Sequence, residues 1–475
     1  MATAIKHLVV LMLENRSFDH MLGFMQSANY QIDGLDGSQF NRDSVGEPVK
    51  VNTEAGYSGD LPHDPSHDFE DVMEQMYGTK TPQAGQQPDM SGFVQNYERF
   101  TGDRVKAHTI MNCFAPDALP VLTKLASSYA LCDRWYCSVP GSTLPNRVFA
   151  HAGTSRGRLD LSPDFIGGFH TVYEILHKNG VSSTIFYEDW SAALTFEALL
   201  LHNQAQFFAE YARFPELVKQ NKLPSYCFIE PRYNPVDSNG TTLPPNDQHP
   251  PDHDIAEGEM LIRTVYNDLR RNDDVWKSSL LVIVYDEHGG LYDHGVPPAC
   301  PSPDGMVCPA PPFDFTRLGP RVPALIISPY VTPGQIDHTV YDHTSAIATA
   351  MKLFVPQAWP SDVLGKRAQA ANTFDTVLDL TMQPRMEFPN FAAPPPAAPA
   401  VVNDLAAAAA HQPLSALQRD AVAHASQLEK RLPPQLQTRT DPTTIQDENA
   451  AGAYLKQVSS NLQTFSDGVR SDANK

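Results

Sequence analysis

The sequence contains no apolar run close to the roughly 18 residues that a membrane-spanning helix needs. Its N-terminal apolar stretch, Leu8 to Leu13, is too short for a signal h-region and runs into Glu14-Asn15 without a cleavage site. On sequence the chain is therefore expected to be cytoplasmic, or secreted or periplasmic if a leader has been removed. Basic residues are scarce, with 35 Lys and Arg against 55 Asp and Glu and a formal charge of −20. A nucleic-acid-coating protein needs a basic stripe to displace counterions, so no nucleic-acid partner is expected. The chain also lacks a basic amphipathic helix for anionic membranes. Paired CxxC spacing is missing among Cys113, Cys132, Cys137, Cys227, Cys300 and Cys308, which argues against a structural zinc site. Cys300 and Cys308 flank a Pro-rich loop and could close a disulfide in an oxidising compartment or remain free thiols.

What is abundant is proline, 41 in 475 residues, against a usual share of about 5%. Much of the chain must be loop, and loops carry function when a rigid scaffold positions them. That scaffold shows in short, wholly apolar runs: Ile5 to Leu13, Ser183 to Tyr187, Leu280 to Tyr285 and Val322 to Ser328. Continuous apolar runs of this length suit parallel strands covered on both faces. Helical patterns lie between them, over 119–130, 169–179, 255–272 and 345–353, the last with Asp342 or Thr344 as a candidate cap. Strand then helix, repeated, predicts an α/β fold with a mainly parallel central sheet. After a Pro/Ala strap, Phe391 to Ala400, an amphipathic helix is expected over 414–432 and a second, polar one over 443–468. The expected organisation is a catalytic domain over 1–385, a linker over 386–402 and a small helical appendage over 403–475. The appendage shows no catalytic constellation, so packing or interaction is its expected role.

In parallel sheets reactive side chains collect beyond the carboxyl ends of strands. That rule selects Glu14 and Asn15 after the first strand and Asp286, Glu287 and His288 after Leu280–Tyr285. It also selects His343, in the segment after Val322–Ser328. The loop Ser138 to Arg147 adds the hydroxyls of Ser142 and Thr143, the Asn146 amide and the Arg147 guanidinium. Histidines beside aspartates recur in three loops, around His63 and His67, around His249 and His253, and from Asp286 to His294. Such pairs suit a metal ligand with its orienting partner, or a general acid.

Glu14 to Gly23 (ENRSFDHMLG) resembles the opening motif of the bacterial phosphoesterase family, which holds non-specific phospholipases C and a group of acid phosphatases. The resemblance continues through Cys132-Asp133-Arg134-Trp135, Ser142 to Arg147, Asp286 to His294 and Leu318 to Pro323, in the family's order from residue 5 to about residue 355. It implies an alkaline-phosphatase-like three-layer α/β sandwich. Thr143 matches the family's nucleophile, and Glu14, Asn15, Asp286 and Glu287, with Thr143, match the residues that hold one divalent metal ion. His67 matches a histidine reaching the phosphate. Either His249 or His253 should be another, because an extra residue disturbs the usual His-Pro-Ser-His-Asp pattern. His288 and His343 are further carry-overs.

Oxygen ligands of this kind suit Mg, Ca or Mn, with Zn not excluded. A cation is also required by charge, since these acidic groups would otherwise repel a phosphate. The expected activity is phosphoric-ester hydrolysis. A phospholipase C releasing diacylglycerol and a phosphorylated head group leads, because position 143 is Thr. The rival is an acid phosphatase on small phosphomonoesters, and a non-catalytic binding module of the same fold is a third reading. At −20, zwitterionic or dispersed phospholipid is the expected substrate.

Overall fold

The structure, a computed structural model, describes residues 5–160, 169–196, 199, 207–238, 241–360, 363–387, 389–391 and 414–473. Eight strands form the central sheet: β1 (His7–Leu13), β2 (Ala130–Cys132), β3 (Ser183–Tyr187), β4 (Phe208–Glu210), β5 (Tyr226–Glu230), β6 (Ser279–Tyr285), β7 (Ala324–Ile327) and β8 (Gln335–Asp337). Their order is β8-β2-β7-β6-β1-β5-β3-β4. Every residue of β1 and β6 is buried, as their unbroken apolar runs require. The two strands run parallel, with Leu13 opposite Tyr285. That register brings Glu14-Asn15 and Asp286-Glu287 side by side at one sheet edge.

β7 departs from the sequence expectation. It runs antiparallel to both neighbours, β6 and β2, so its carboxyl end points to the far edge. His343 reaches the near edge because β8, parallel to β2, carries the chain back. The expected cap on the following helix is also different. His343 itself takes the cap position without a capping side-chain bond, while the Asp342 carboxylate accepts from Ser138 and Thr344.

Helices flank the sheet on both sides. Those that bear on the site are α1 (Phe69–Tyr77), α2 (Thr143–Ala152), α3 (Ile255–Leu269), α4 (Thr344–Phe354), α5 (Ala416–Glu429) and α6 (Glu448–Ala473). A second apolar cluster, built from residues such as Val72, Phe93, Tyr97, Leu291 and Phe315, forms a cap over the sheet edge and carries α1. In the C-terminal part, α5 opens with a capping box between Ser415 and Gln418. Leu417, Val422, Ala425 and Leu428 of α5, and Tyr454, Leu455 and Val458 of α6, join the same apolar core as β1 and β6. Apart from Phe391, the Pro/Ala stretch expected as a strap lies outside the described residues. All six cysteines are free thiols, Cys300 and Cys308 included.

Candidate active site

Thr143 is the first residue of α2 and is fully buried. A helix start leaves backbone N–H groups unpaired and favours negative charge, so a reacting hydroxyl there faces an anion-friendly field. The preceding Pro/Gly loop is held by Asn146. Its amide donates to the carbonyls of Val139, Gly141 and Ser142 at 3.1, 3.1 and 3.0 Å and accepts from Val139 N at 3.0 Å. The Asn146 side chain is thus consumed in shaping the loop. Thr143 Oγ1 donates to Asn15 Oδ1 at 3.1 Å.

Asn15 sits at φ 53°, a left-handed conformation that asparagine tolerates better than bulkier residues. Its backbone N–H donates to Asp286 Oδ1 at 2.9 Å, which ties the ends of β1 and β6 together. The turn after β6 must approach closely for this. Gly289 has φ +66°, and a Cβ there would lie 2.2 Å from the Asn15 carbonyl oxygen, so only glycine fits.

Arg147, the guanidinium of the same loop, faces inward rather than towards the open end. It pairs with Asp286 at 2.9 Å and lies 3.6 Å from Glu14 and 3.9 Å from Glu230, stacked over Tyr233. One buried cation therefore serves three buried carboxylates. Burial pushes Asp286 up to about 6 even against the pull of Arg147. Burial, with the charge of Asp247, pushes Glu14 well above the usual carboxylate range. Glu287 Oε2 accepts from Gly289 N at 2.7 Å, but Glu287 Oε1 and Glu14 Oε1 are buried with no hydrogen-bond partner. Orphaned carboxylate oxygens of this kind are costly unless a group other than a protein donor satisfies them. With the amide of Asn15 and the hydroxyl of Thr143 they make an all-oxygen donor set that fits a hard divalent cation. A different group of Asp, Glu and His, made of Asp252, His253 and Glu448, also has its ligand atoms within 4.8 Å of one another.

The histidines separate by what their nitrogens already do. His67 donates from Nδ1 to Pro65 O at 2.9 Å, and its Nε2 lies 3.5 Å from the Asn15 amide nitrogen. Burial lowers its affinity for a proton, but Glu287, Asp64 and Asp68 outweigh burial and raise it to about 9. His249 faces His67 with ring centroids 6.2 Å apart, and its Nε2 is buried and unpartnered. Burial, then the neighbouring rings of His253 and His67, push His249 well below the usual imidazole range.

His253 has no free nitrogen. Nδ1 donates to Asp247 Oδ1 at 2.6 Å and Nε2 to Glu448 Oε1 at 3.2 Å. Against burial, the two carboxylates raise it well above the usual range. His288 turns into the cap, donating from Nε2 to Gln75 Oε1 at 2.8 Å, and burial holds it below the usual range. His343 donates to the Asp286 carbonyl at 2.5 Å and accepts from Trp135 Nε1 at 3.3 Å, and burial pushes it down to about 4.

Sequence reasoning did not single out Gln75, Glu230, Asp247 or Glu448. Gln75 spans the cap, since its Nε2 also donates to Ser66 O, next to His67, at 2.7 Å. Asp247 was visible only as an aspartate two residues before His249. Glu448 carried no local signal, as it opens an ordinary polar helix.

A buried hydroxyl at a helix start, carboxylates at parallel strand ends and facing imidazoles are the kinds of group that a hydrolytic site on an α/β sheet requires. The phosphoesterase family model matches residues 5–355, and the chain belongs to that family. It is a phosphoric-ester hydrolase. The chain is 38% identical over 408 residues to non-specific phospholipase C3 of Arabidopsis thaliana, covering 82% of this chain and 76% of that one. It is 27% identical over 425 residues to phospholipase C A of Mycobacterium tuberculosis, covering 78% of each. Among solved structures, the lipoteichoic acid synthase LtaP of Listeria monocytogenes matches with a TM-score of 0.35 and 12% identity, covering 77% of each chain. A protein of the alkaline phosphatase superfamily from Vibrio parahaemolyticus matches with a TM-score of 0.32 and 13% identity, covering 53% of this chain and 64% of the other.

Proposed function

We propose that this hydrolase is a phospholipase C that splits a glycerophospholipid into diacylglycerol and a phosphorylated head group, with Thr143 as nucleophile. The observation that carries the reading is Thr143 Oγ1 itself, buried at the start of α2 and bonded to Asn15 among orphaned carboxylate oxygens. The similarity to phospholipases C from a plant and a mycobacterium supports the choice of substrate.

Glu14, Asn15, Thr143, Asp286 and Glu287 would hold one divalent ion, of the Mg, Ca, Mn or Zn type. Such an ion lowers the pKa of a bound hydroxyl and offsets phosphate charge. Asn15 orients the Thr143 hydroxyl, and the α2 terminus presents N–H groups to the phosphate. The Thr143 hydroxyl gives up its proton to solvent and regains it when the intermediate is cleaved; in between, its oxygen bonds to phosphorus as the bond to the glycerol oxygen breaks, giving a phosphothreonine still esterified to the head group. The departing alkoxide needs a proton, and the His67–His249 pair is placed to deliver it. Water then cleaves the phosphothreonine, losing its proton to the same pair. Arg147 does not touch substrate; it neutralises the carboxylates from beneath.

A substrate panel run with metal analysis of the same preparation tests the proposal. Turnover of phosphatidylcholine with release of diacylglycerol is expected, with close to one equivalent of divalent metal. Fast phosphomonoester turnover with no product from lipid would overturn the phospholipase reading in favour of an acid phosphatase.

A further inference from the structure

The C-terminal helices reach the catalytic centre through Glu448. That residue is 4% exposed, although it opens α6 some 195 residues after His253. Glu448 Oε1 accepts from His253 Nε2 at 3.2 Å and from Gln418 Nε2 of α5 at 3.0 Å. Gln418 also donates to the Tyr233 carbonyl at 3.1 Å, and Asn234 donates to the Glu448 carbonyl at 2.9 Å. Glu448 is therefore anchored from two directions. On the other side of the imidazole, Asp247 Oδ1 accepts from His253 Nδ1 and also from His249 N at 2.9 Å.

We propose that Glu448 is a positioning residue, holding His253 so that Asp247 fixes His249 opposite His67. The proposal rests on the reading of His67 and His249 as the proton-transfer pair. The chain of contacts runs Glu448, His253, Asp247, His249, each joined to the next by a hydrogen bond. Two atoms in that chain are unpartnered, Asp247 Oδ2 and His249 Nε2, and the second belongs to the ring that faces His67. A ring with both nitrogens donating to carboxylates is a hydrogen-bonded clamp, because a metal ligand would have to give up one of those protons. The same geometry explains why Asp252, His253 and Glu448 look like a cation site while acting as an ion-paired strut.

Helix α6 thus has a task that packing alone would not require. Its first turn closes the wall behind His249, and α5 supplies the amide that locks it. The sheet-borne part of the molecule, without these helices, would leave His253 Nε2 and the Tyr233 carbonyl facing solvent.

The test is Glu448→Gln in the full chain, assayed on phosphatidylcholine and on p-nitrophenyl phosphocholine. Diacylglycerol is a poor leaving group that needs a proton, whereas p-nitrophenolate departs without one. Glu448→Gln should lower kcat on the lipid about tenfold, a fraction of what a general acid contributes. It should leave the initial burst of p-nitrophenolate, which needs no proton from the pair, and the melting temperature and metal content unchanged. Glu448→Asp, which keeps the charge but shortens the reach, should show the same selective deficit to a smaller degree. It serves as the readout if the glutamine variant does not fold. Equal losses on both substrates, no loss on either, or loss of one metal equivalent would overturn the proposal. Thr143→Ala assayed beside it separates the readings: full activity there would defeat the nucleophile assignment while leaving the leaving-group comparison intact.

Discussion

Two walls of the site are built on opposite logics. The floor, at the ends of β1 and β6, crowds Glu14, Asp286 and Glu230 around Arg147 and leaves oxygens of Glu14, Glu230 and Glu287 unsatisfied. The far wall, where Asp247, His253 and Glu448 meet, has both imidazole nitrogens bonded. Unsatisfied buried groups store a demand for a ligand; satisfied ones store geometry. The contrast separates residues that would meet substrate or metal from residues that aim them. On the proposed role of Glu448, the C-terminal helices belong to the site as much as the strands do.

The largest effect should come from the floor. Thr143→Ala is expected to lower kcat on phosphatidylcholine by at least about a thousandfold, as loss of a nucleophile does, while Thr143→Ser keeps measurable turnover. Full activity in the alanine variant would break the distinction between the two walls. Beneath the floor, Arg147→Met removes the guanidinium that faces three buried carboxylates and should cost about 3–5 kcal/mol of stability. Denaturant midpoints would check it, and bound divalent metal should recover part of the loss.

The union of sheet and C-terminal helices can be tested apart from catalysis. Leu455 is fully buried in the shared core, so Leu455→Ala should cost about 3 kcal/mol. Calorimetry should show the whole transition moving down as one. A separate early transition from the C-terminal helices, with the main one unmoved, would mean that the shared core does not couple them.

The smallest effect concerns a carboxylate that is satisfied without being catalytic. Glu259 of α3 accepts from Val121 N and Leu122 N at 2.6 and 3.0 Å, and burial pushes it up to about 7. A folded-state value above the unfolded one means stability that is present in acid and lost as pH rises through about 7. Between pH 5 and 8 the wild-type chain should lose about 2 kcal/mol relative to Glu259→Gln, which cannot ionise. Parallel stability curves for the two proteins would contradict this.

Much of the floor was legible in the sequence. Uninterrupted apolar runs announce buried parallel strands, and charged residues placed directly after them mark the catalytic edge. The orientation of β7 was not legible, because an apolar run looks the same in either direction. Nor was the inward turn of Arg147, since a guanidinium in a loop can face substrate or core with the same neighbours in sequence. The choice between His249 and His253 is open in the sequence because an extra residue disturbs the motif, and only their partners in the fold distinguish them. Glu448 left no trace at all, as a contact across 195 residues imposes no local periodicity.

The sequence by itself therefore determined the α/β class, the strands that carry Glu14 and Asp286, the loop that presents Thr143, and the family to which all of these belong. Local hydrophobic pattern and short motifs suffice for that, because each feature is written within a dozen residues. Which imidazoles stay free, which carboxylates stay orphaned and how the last helix enters the site were decided only by tertiary structure. Those properties depend on which groups from distant segments satisfy one another once water has been excluded.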